Sequence, residues 1–293
     1  MRCLPIVVGS VLGLVIGLTA APPAADTGGK PVNLAKLNTE KDEDEPHVAS
    51  NNLMLLYSLR SKGKWDLMVS RRATTSQPWP PGRPVEEVNR KTADSLGAFL
   101  TPEGVFPQRL YYASNKDIEM PDKVGDNFDI YFLSRQFPNS DFTFEQGLPF
   151  LTAADELHPW VTPEGHFYFS RRTKEGWRVF VALVPKGGGA LQAPKPVELP
   201  VGFHHATLTP NGTTMYLQGP LEKDRWGLFR SDLVGGTWSK PVPLTGLNSE
   251  EGKIGDRSPC LSRDGALLYF ASDRPGGKGG LDLWVVPTAS LKK

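Results

Sequence analysis

Between residues 30 and 286 the chain alternates hydrophobic and polar positions in short runs broken by turn residues, and no long stretch keeps the spacing of an amphipathic helix. The aromatic or aliphatic runs at 53–57, 110–112, 167–169, 215–217 and 267–270 each follow a turn, and their length and composition predict strands. The turns are Thr101-Pro102-Glu103-Gly104, Thr162-Pro163-Glu164-Gly165, Thr209-Pro210-Asn211-Gly212 and Ser262-Arg263-Asp264-Gly265, with Ser50-Asn51-Asn52 as a shortened fifth. Proline fixes φ, Asp or Asn folds onto its own backbone, and glycine accepts a positive φ, so each copy reads as a hairpin. A further strand begins in every unit at Trp65, Phe128, Trp177, Trp226 and Leu281.

A Pro-Val-x-Leu pattern closes each unit. It appears at 30–38, 83–89, 147–152, 195–199 and 240–248, a repeat of roughly 45 to 63 residues, and periods of this size indicate solenoids, propellers or arrays. Each unit then holds an inner strand before the turn, two middle strands and an outer strand. The last unit stops near Val286 without an outer strand of its own, and residues 30–38 can supply it. This predicts an all-β propeller of five four-stranded blades, with six as the alternative count. Joining the two ends in one blade removes the open sheet edges.

The run from Asp256 through Val285, with Ser258-Pro259 and Ser262-Arg263-Asp264-Gly265 at its centre, resembles the WD40-like Ser-Pro-Asp-Gly propeller repeat of the TolB C-terminal domain. The match is dense in this unit and looser elsewhere. The resemblance implies an extracytoplasmic propeller, commonly a protein-interaction platform without catalysis. It names no partner.

Met1-Arg2-Cys3, the apolar run at 4–18 and Thr19-Ala20-Ala21 have the order of a secretory signal, followed by a linker at 21–29 and one propeller domain at 30–293. Localisation is therefore expected to be periplasmic or secreted, with membrane attachment only if the signal is uncleaved. Removal of the leader leaves Cys260 as the single cysteine, read as a buried structural thiol. With 33 Lys and Arg against 32 Asp and Glu, nothing points to nucleic acid. The glycine-rich stretch at 275–280 lacks the spacing, the Ser or Thr and the helix of a phosphate loop.

One column of the repeat carries candidate chemistry. Seven residues before each turn glycine, or before Asn52, stand Glu45, Gly97, His158, His205 and Ser258. Glu45, His158 and His205 are expected to project toward a common axis near a channel mouth, with Asp256 close by, and Gly97 and Ser258 leaving one side open. These four are the binding candidates. Two imidazoles and a carboxylate suit a metal or acid–base chemistry in principle, but their spread over blades one, three and four assigns no metal, no cofactor and no catalytic residue. Arg60, Arg172 and Arg274 end second strands, and pairing with Asp155 and Asp256 inside the blades is expected. Trp65, Trp177 and Trp226 read as packing between blades. Insertions at 114–127 and 134–146 lengthen loops in unit two, where Phe137, Phe142 and Phe144 offer a contact surface or a cover for the barrel edge.

The composition and the resemblance favour a non-enzymatic, exported scaffold that binds another envelope or extracellular protein, or a small ligand such as a sugar. The alternative is a five-bladed enzyme such as a glycoside hydrolase using channel-facing carboxylates.

Overall fold

The computed structural model describes residues 29–117, 120, 123–137, 140–183 and 190–291. The expected signal at 1–20 and, but for Gly29, the linker at 21–29 lie outside these residues. Five antiparallel sheets follow one another along the chain. Blade one is Asp42–Val48, Met54–Ser61, Lys64–Arg71 and Arg83–Pro84. Blade two is Ser95–Leu100, Gln108–Lys116, Val124–Arg135 and Thr143–Gly147; blade three is Glu156–Val161, Phe167–Thr173, Gly176–Ala182 and Lys195–Pro196. Blade four is His204–Leu208, Thr214–Pro220, Trp226–Val234 and Val242–Pro243, with Thr237–Trp238 folding back on its third strand. Asp256–Leu261, Leu267–Ser272 and Asp282–Pro287 make the fifth, and Val32–Asn33 completes it by pairing Val32 with Val285 and Asn33 with Trp284. The fold is a five-bladed β-propeller.

Alternation along each strand explains why the blades stack. Met54 and Leu56 face blade two and pack with Leu100, Leu110 and Tyr112, whereas Leu55 and Tyr57, on the opposite face, pack with Tyr269 and Leu283 of blade five. Three further clusters fill the seams between blades two and three, three and four, and four and five. The core is therefore five wedges rather than one centre, and the wedge between blades five and one makes the ring continuous.

The outer-strand text is conserved in form within the chain because it ends in a clamp. Asn38, Asn89 and Asn248 each donate from Nδ2 to one backbone carbonyl of the blade's third strand and accept the N–H of the same residue, Leu283, Leu67 and Leu228 respectively, at 2.7–3.0 Å. The carboxamide imitates a strand's hydrogen-bond pair where the outer strand has ended.

Unit two departs from expectation. Part of its first insertion extends the second and third strands, which stay paired as far as Lys116 and Val124. Phe142 packs on the seam between blades one and two, while Phe137 and Phe144 are exposed.

Candidate site at the channel waist and mouth

Each inner strand breaks register with its neighbour at one place, between Asp44 and His47, Leu96 and Phe99, Leu157 and Trp160, His204 and Thr207, and Arg257 and Cys260. Inside each break lies the residue of the candidate column, and all five have left-handed φ: Glu45 at 51°, Gly97 at 61°, His158 at 58°, His205 at 51° and Ser258 at 55°. A bulge turns its side chain out of the sheet's alternation, here toward the channel. Side chains of the second strands hold the kinks from blade to blade. Ser58 Oγ accepts the Gly97 N–H at 3.2 Å, Ser170 Oγ the His205 N–H at 2.9 Å, and Gln218 Oε1 the Ser258 N–H at 3.1 Å.

Glu45, His158 and His205 do converge. One ligand atom of each lies within 4.8 Å of the other two, and all three side chains are buried. His158 Nε2 is 3.0 Å from Glu45 Oε1 and its Nδ1 is 3.1 Å from Ser170 Oγ, while Ser58 donates to Glu45 Oε2 at 2.9 Å. The imidazoles of His158 and His205 stack with centroids 3.9 Å apart. Burial holds both well below the ordinary histidine range and pushes the Glu45 carboxyl up, against the pull of Arg257. The His158–Glu45 contact is accordingly a hydrogen bond sharing one proton rather than an ion pair.

Above this waist opens a cleft of about 410 Å3. Trp65, Phe128, Trp177 and Trp226, in the N-terminal parts of four third strands, ring it. Its floor carries Asp44, Glu45, His158, His204 and Arg257. The tryptophans thus wall the mouth, which their reading as packing residues missed; the signal was their common phase at the head of each third strand. His204 fills the gap between Trp177, on which it stacks at 5.2 Å, and Trp226, which it meets edge-on at 5.0 Å. Burial lowers its imidazole to about 4. Arg257 Nε stands 3.0 Å from Asp44 Oδ2 without hydrogen-bond alignment, so the two neutralise each other as charges. Burial also raises the Asp44 carboxyl, with Arg257 opposing it.

Asp256 does not join the site. It is fully buried and accepts from Arg274 at 2.5 Å and from the Ser249 N–H at 2.6 Å, inside its own blade. The acids flanking the inner strands are architectural in the same way. Asp94, Asp155 and Asp42 accept an N–H near the start of the preceding blade's third strand, at Trp65, Phe128 and Leu281. The pairing expected between arginine and carboxylate holds for Arg274 with Asp256, but in blade three the buried partner is one residue earlier: Arg171 meets Glu156 at 2.7 Å, and Arg172, largely exposed, stays 3.7 Å from Asp155. Register decides this, because Arg171 lies directly across from Glu156. Arg60 instead sits 5.9 Å over the Trp65 ring.

Past the waist the channel narrows onto His47, Phe99, Trp160 and Cys260. The His47 ring lies 4.7 Å from Phe99 and its Nε2 accepts the Leu100 N–H at 3.0 Å. Cys260 is buried and its thiol is pushed up to about 12, which makes it a structural group and not a nucleophile. The proline-containing turns form the opposite mouth.

No family model and no curated protein sequence matches the chain. Solved structures do. A GH62 hydrolase in complex with xylotriose superposes with a TM-score of 0.59 at 8% identity, over 87% of this chain and 94% of that one. The α-L-arabinofuranosidase from Podospora anserina in complex with cellotriose gives 0.57 at 10% identity, over 87% and 94%. A thermostable family-43 glycoside hydrolase gives 0.55 at 12%, over 85% and 90%. At such identities the likeness is one of fold. TolB from Acinetobacter baumannii aligns over 84% of this chain and 54% of its own, at 13% identity and a TM-score of 0.45. That superposition is too loose to bear on the repeat family.

Proposed function

We propose that the cleft at the first channel mouth binds a carbohydrate. The observation that carries this reading is the ring of four aromatic side chains over a floor of carboxylates, imidazoles and a guanidinium. Aromatic faces match the apolar C–H faces of a sugar, and the floor offers both donors and acceptors to hydroxyls. Charge neutralisation of Asp44 by Arg257 suits an uncharged ligand. We place this function outside the cytoplasm on the order of residues 1–20 alone. The ligand is a sugar unit rather than a protein, because the floor of a recessed cleft cannot meet a flat surface.

A second reading, glycoside hydrolysis, is favoured by one observation: Asp44 and Glu45 both reach the cleft, and burial keeps the Glu45 carboxyl raised as a proton donor requires. The far wall, formed by blades three to five, presents imidazoles and Arg257 where an opposing carboxylate would stand.

Xylotriose and cellotriose, the sugars held by two of the structural neighbours, are suitable probes. Calorimetric titration is expected to show binding that falls by roughly 5- to 30-fold in Trp177→Ala, about 1–2 kcal/mol for a buried aromatic contact. Absence of heat with these and other neutral oligosaccharides at millimolar concentration would sink the carbohydrate reading. Release of reducing ends, lost in Glu45→Gln, would decide for hydrolysis over binding alone.

A further inference from the structure

The waist beneath the cleft is a separate device. It holds a void of about 20 Å3, partly open along the channel, that Glu45, His158 and His205 help to line, with room for about one water molecule or ion. His205 is 8% exposed and its Nδ1, buried, has no hydrogen-bond partner. Ser258, at the fifth position of the same ring, is buried and its hydroxyl meets the Asp44 carboxyl. Orphaned buried polar atoms are costly unless something completes them. The orphaned His205 nitrogen stands beside a carboxylate and a second imidazole, and all three residues sit on left-handed kinks that aim them at the axis.

We propose that Glu45, His158 and His205 hold one late first-row divalent cation, of the Zn2+ class, at the channel waist. Two nitrogen donors and one carboxylate suit such an ion and disfavour calcium or magnesium, which take oxygen shells. Bonds of about 2.0 to 2.2 Å set tetrahedral donors roughly 3.4 Å apart. The three ligand atoms, now within 4.8 Å of one another, close on the ion by small side-chain rotations. The stacked imidazoles, 21° from parallel, open so that their lone pairs meet. Ser170, which contacts His158 Nδ1, leaves Nε2 as the ligand atom and fixes the ring as a second partner does in metal sites.

Binding replaces the proton shared between His158 Nε2 and Glu45 Oε1, so uptake releases that proton to solvent and weakens as pH falls. The other charged and titratable groups facing the waist are Arg257, paired with Asp44, His204, whose ring lies 5.7 Å from that of His158, and His47 and Cys260 on the far side of the void. The assignment does not rest on the carbohydrate reading. It conflicts with the hydrolytic one, since a metal-bound Glu45 cannot donate a proton.

The test uses the full chain stripped with a chelator and titrated with Zn2+, followed by metal content after gel filtration and by the visible absorption of a Co2+-loaded sample. One ion per chain is expected, with affinity falling by at least about 100-fold in His158→Asn and His205→Asn. Asparagine tolerates left-handed backbone, and Glu45→Gln keeps the Ser58 hydrogen bond, so at least one folded variant is available. Substoichiometric uptake by the parent chain overturns the proposal. So does uptake that survives all three substitutions, because the ion then sits elsewhere. Sugar titration of His205→Asn keeps the two sites distinguishable, since His205, unlike Glu45 and His158, does not line the cleft.

Discussion

A chain truncated to begin at Asp42 is expected to lose about 10–20 °C of melting temperature and the sharpness of its transition. The segment removed carries the whole outer edge of blade five. Leu37, 1% exposed, is part of the seam between blades five and one, and burial of such a side chain contributes about 1.5–3 kcal/mol. Asn38 satisfies both backbone groups of Leu283, which truncation strands at about 1–3 kcal/mol each. The sum, about 5 kcal/mol, is comparable with the roughly 5–15 kcal/mol of a whole domain and converts to the stated shift for a chain of this size. The seam is tight on the other side as well, where any side chain at Gly279 would run into the Lys41 carbonyl. Asn38→Ala alone should give a smaller loss in the same direction. Calorimetric melts that leave midpoint and width unchanged in the truncated chain would contradict ring closure by residues 30–38.

Arg171→Met should cost about 3–5 kcal/mol at neutral pH, whereas Arg172→Met, one residue along, should stay within about 1 kcal/mol. Glu156 is fully buried and depends on Arg171 Nε at 2.7 Å for its charge partner. The same guanidinium donates to the Phe150 carbonyl at 2.9 Å and lies 4.8 Å over the Phe180 ring. Its removal leaves a buried carboxylate beside Thr152 and a second carboxyl, that of Asp129, with no cation among the described residues in hydrogen-bond contact. Burial already raises the Glu156 carboxyl, and loss of Arg171 raises it further. The sign follows from linkage. A folded-state pKa above the unfolded value means that the folded chain binds the proton first, so stability of the variant recovers as pH falls from the raised pKa toward the unfolded carboxylate range. Urea unfolding at pH 7 and pH 5 checks both halves. Equal losses for the two arginines, or a loss at position 171 that grows on acidification, would show the pair to be misassigned.

Those adjacent arginines also show what the sequence carries and what it withholds. The blade count, the turn positions and the closure by residues 30–38 were legible because each is written several times in the chain, and Asn38 matches Asn248 letter for letter in its role. Which of Arg171 and Arg172 turns inward was not, because it depends on a one-residue register relative to Glu156, and neighbouring strand residues face opposite ways. The column Glu45, His158, His205 could be picked out by counting from the turns. Its meeting at one point required the bulges, and Gly97 is the single residue of the five whose type hints at a left-handed backbone. Asp256 shares a repeat neighbourhood with that column, yet it falls before the bulge and stays within its sheet. The aromatic wall was visible as letters but not as a surface, since a tryptophan heading a strand packs a seam or lines a mouth according to a tilt that alternation does not encode.

The kinks at the waist set stability and usefulness against each other. Left-handed backbone costs an ordinary L-residue about 1–2 kcal/mol, and glycine almost nothing. Four of the five waist positions nonetheless hold Glu, His, His and Ser. A chain selected for robustness alone would carry glycine all round, as blade two does, and have an inert bore. The ring thus presents five sockets on a frame braced by hydrogen bonds between blades. The chemistry of the bore can therefore be rewritten while the seams stay as they are, with Glu45, His158 and His205 coupled to one another. Engineered glycines there should give a sturdier propeller with nothing left to hold at its centre.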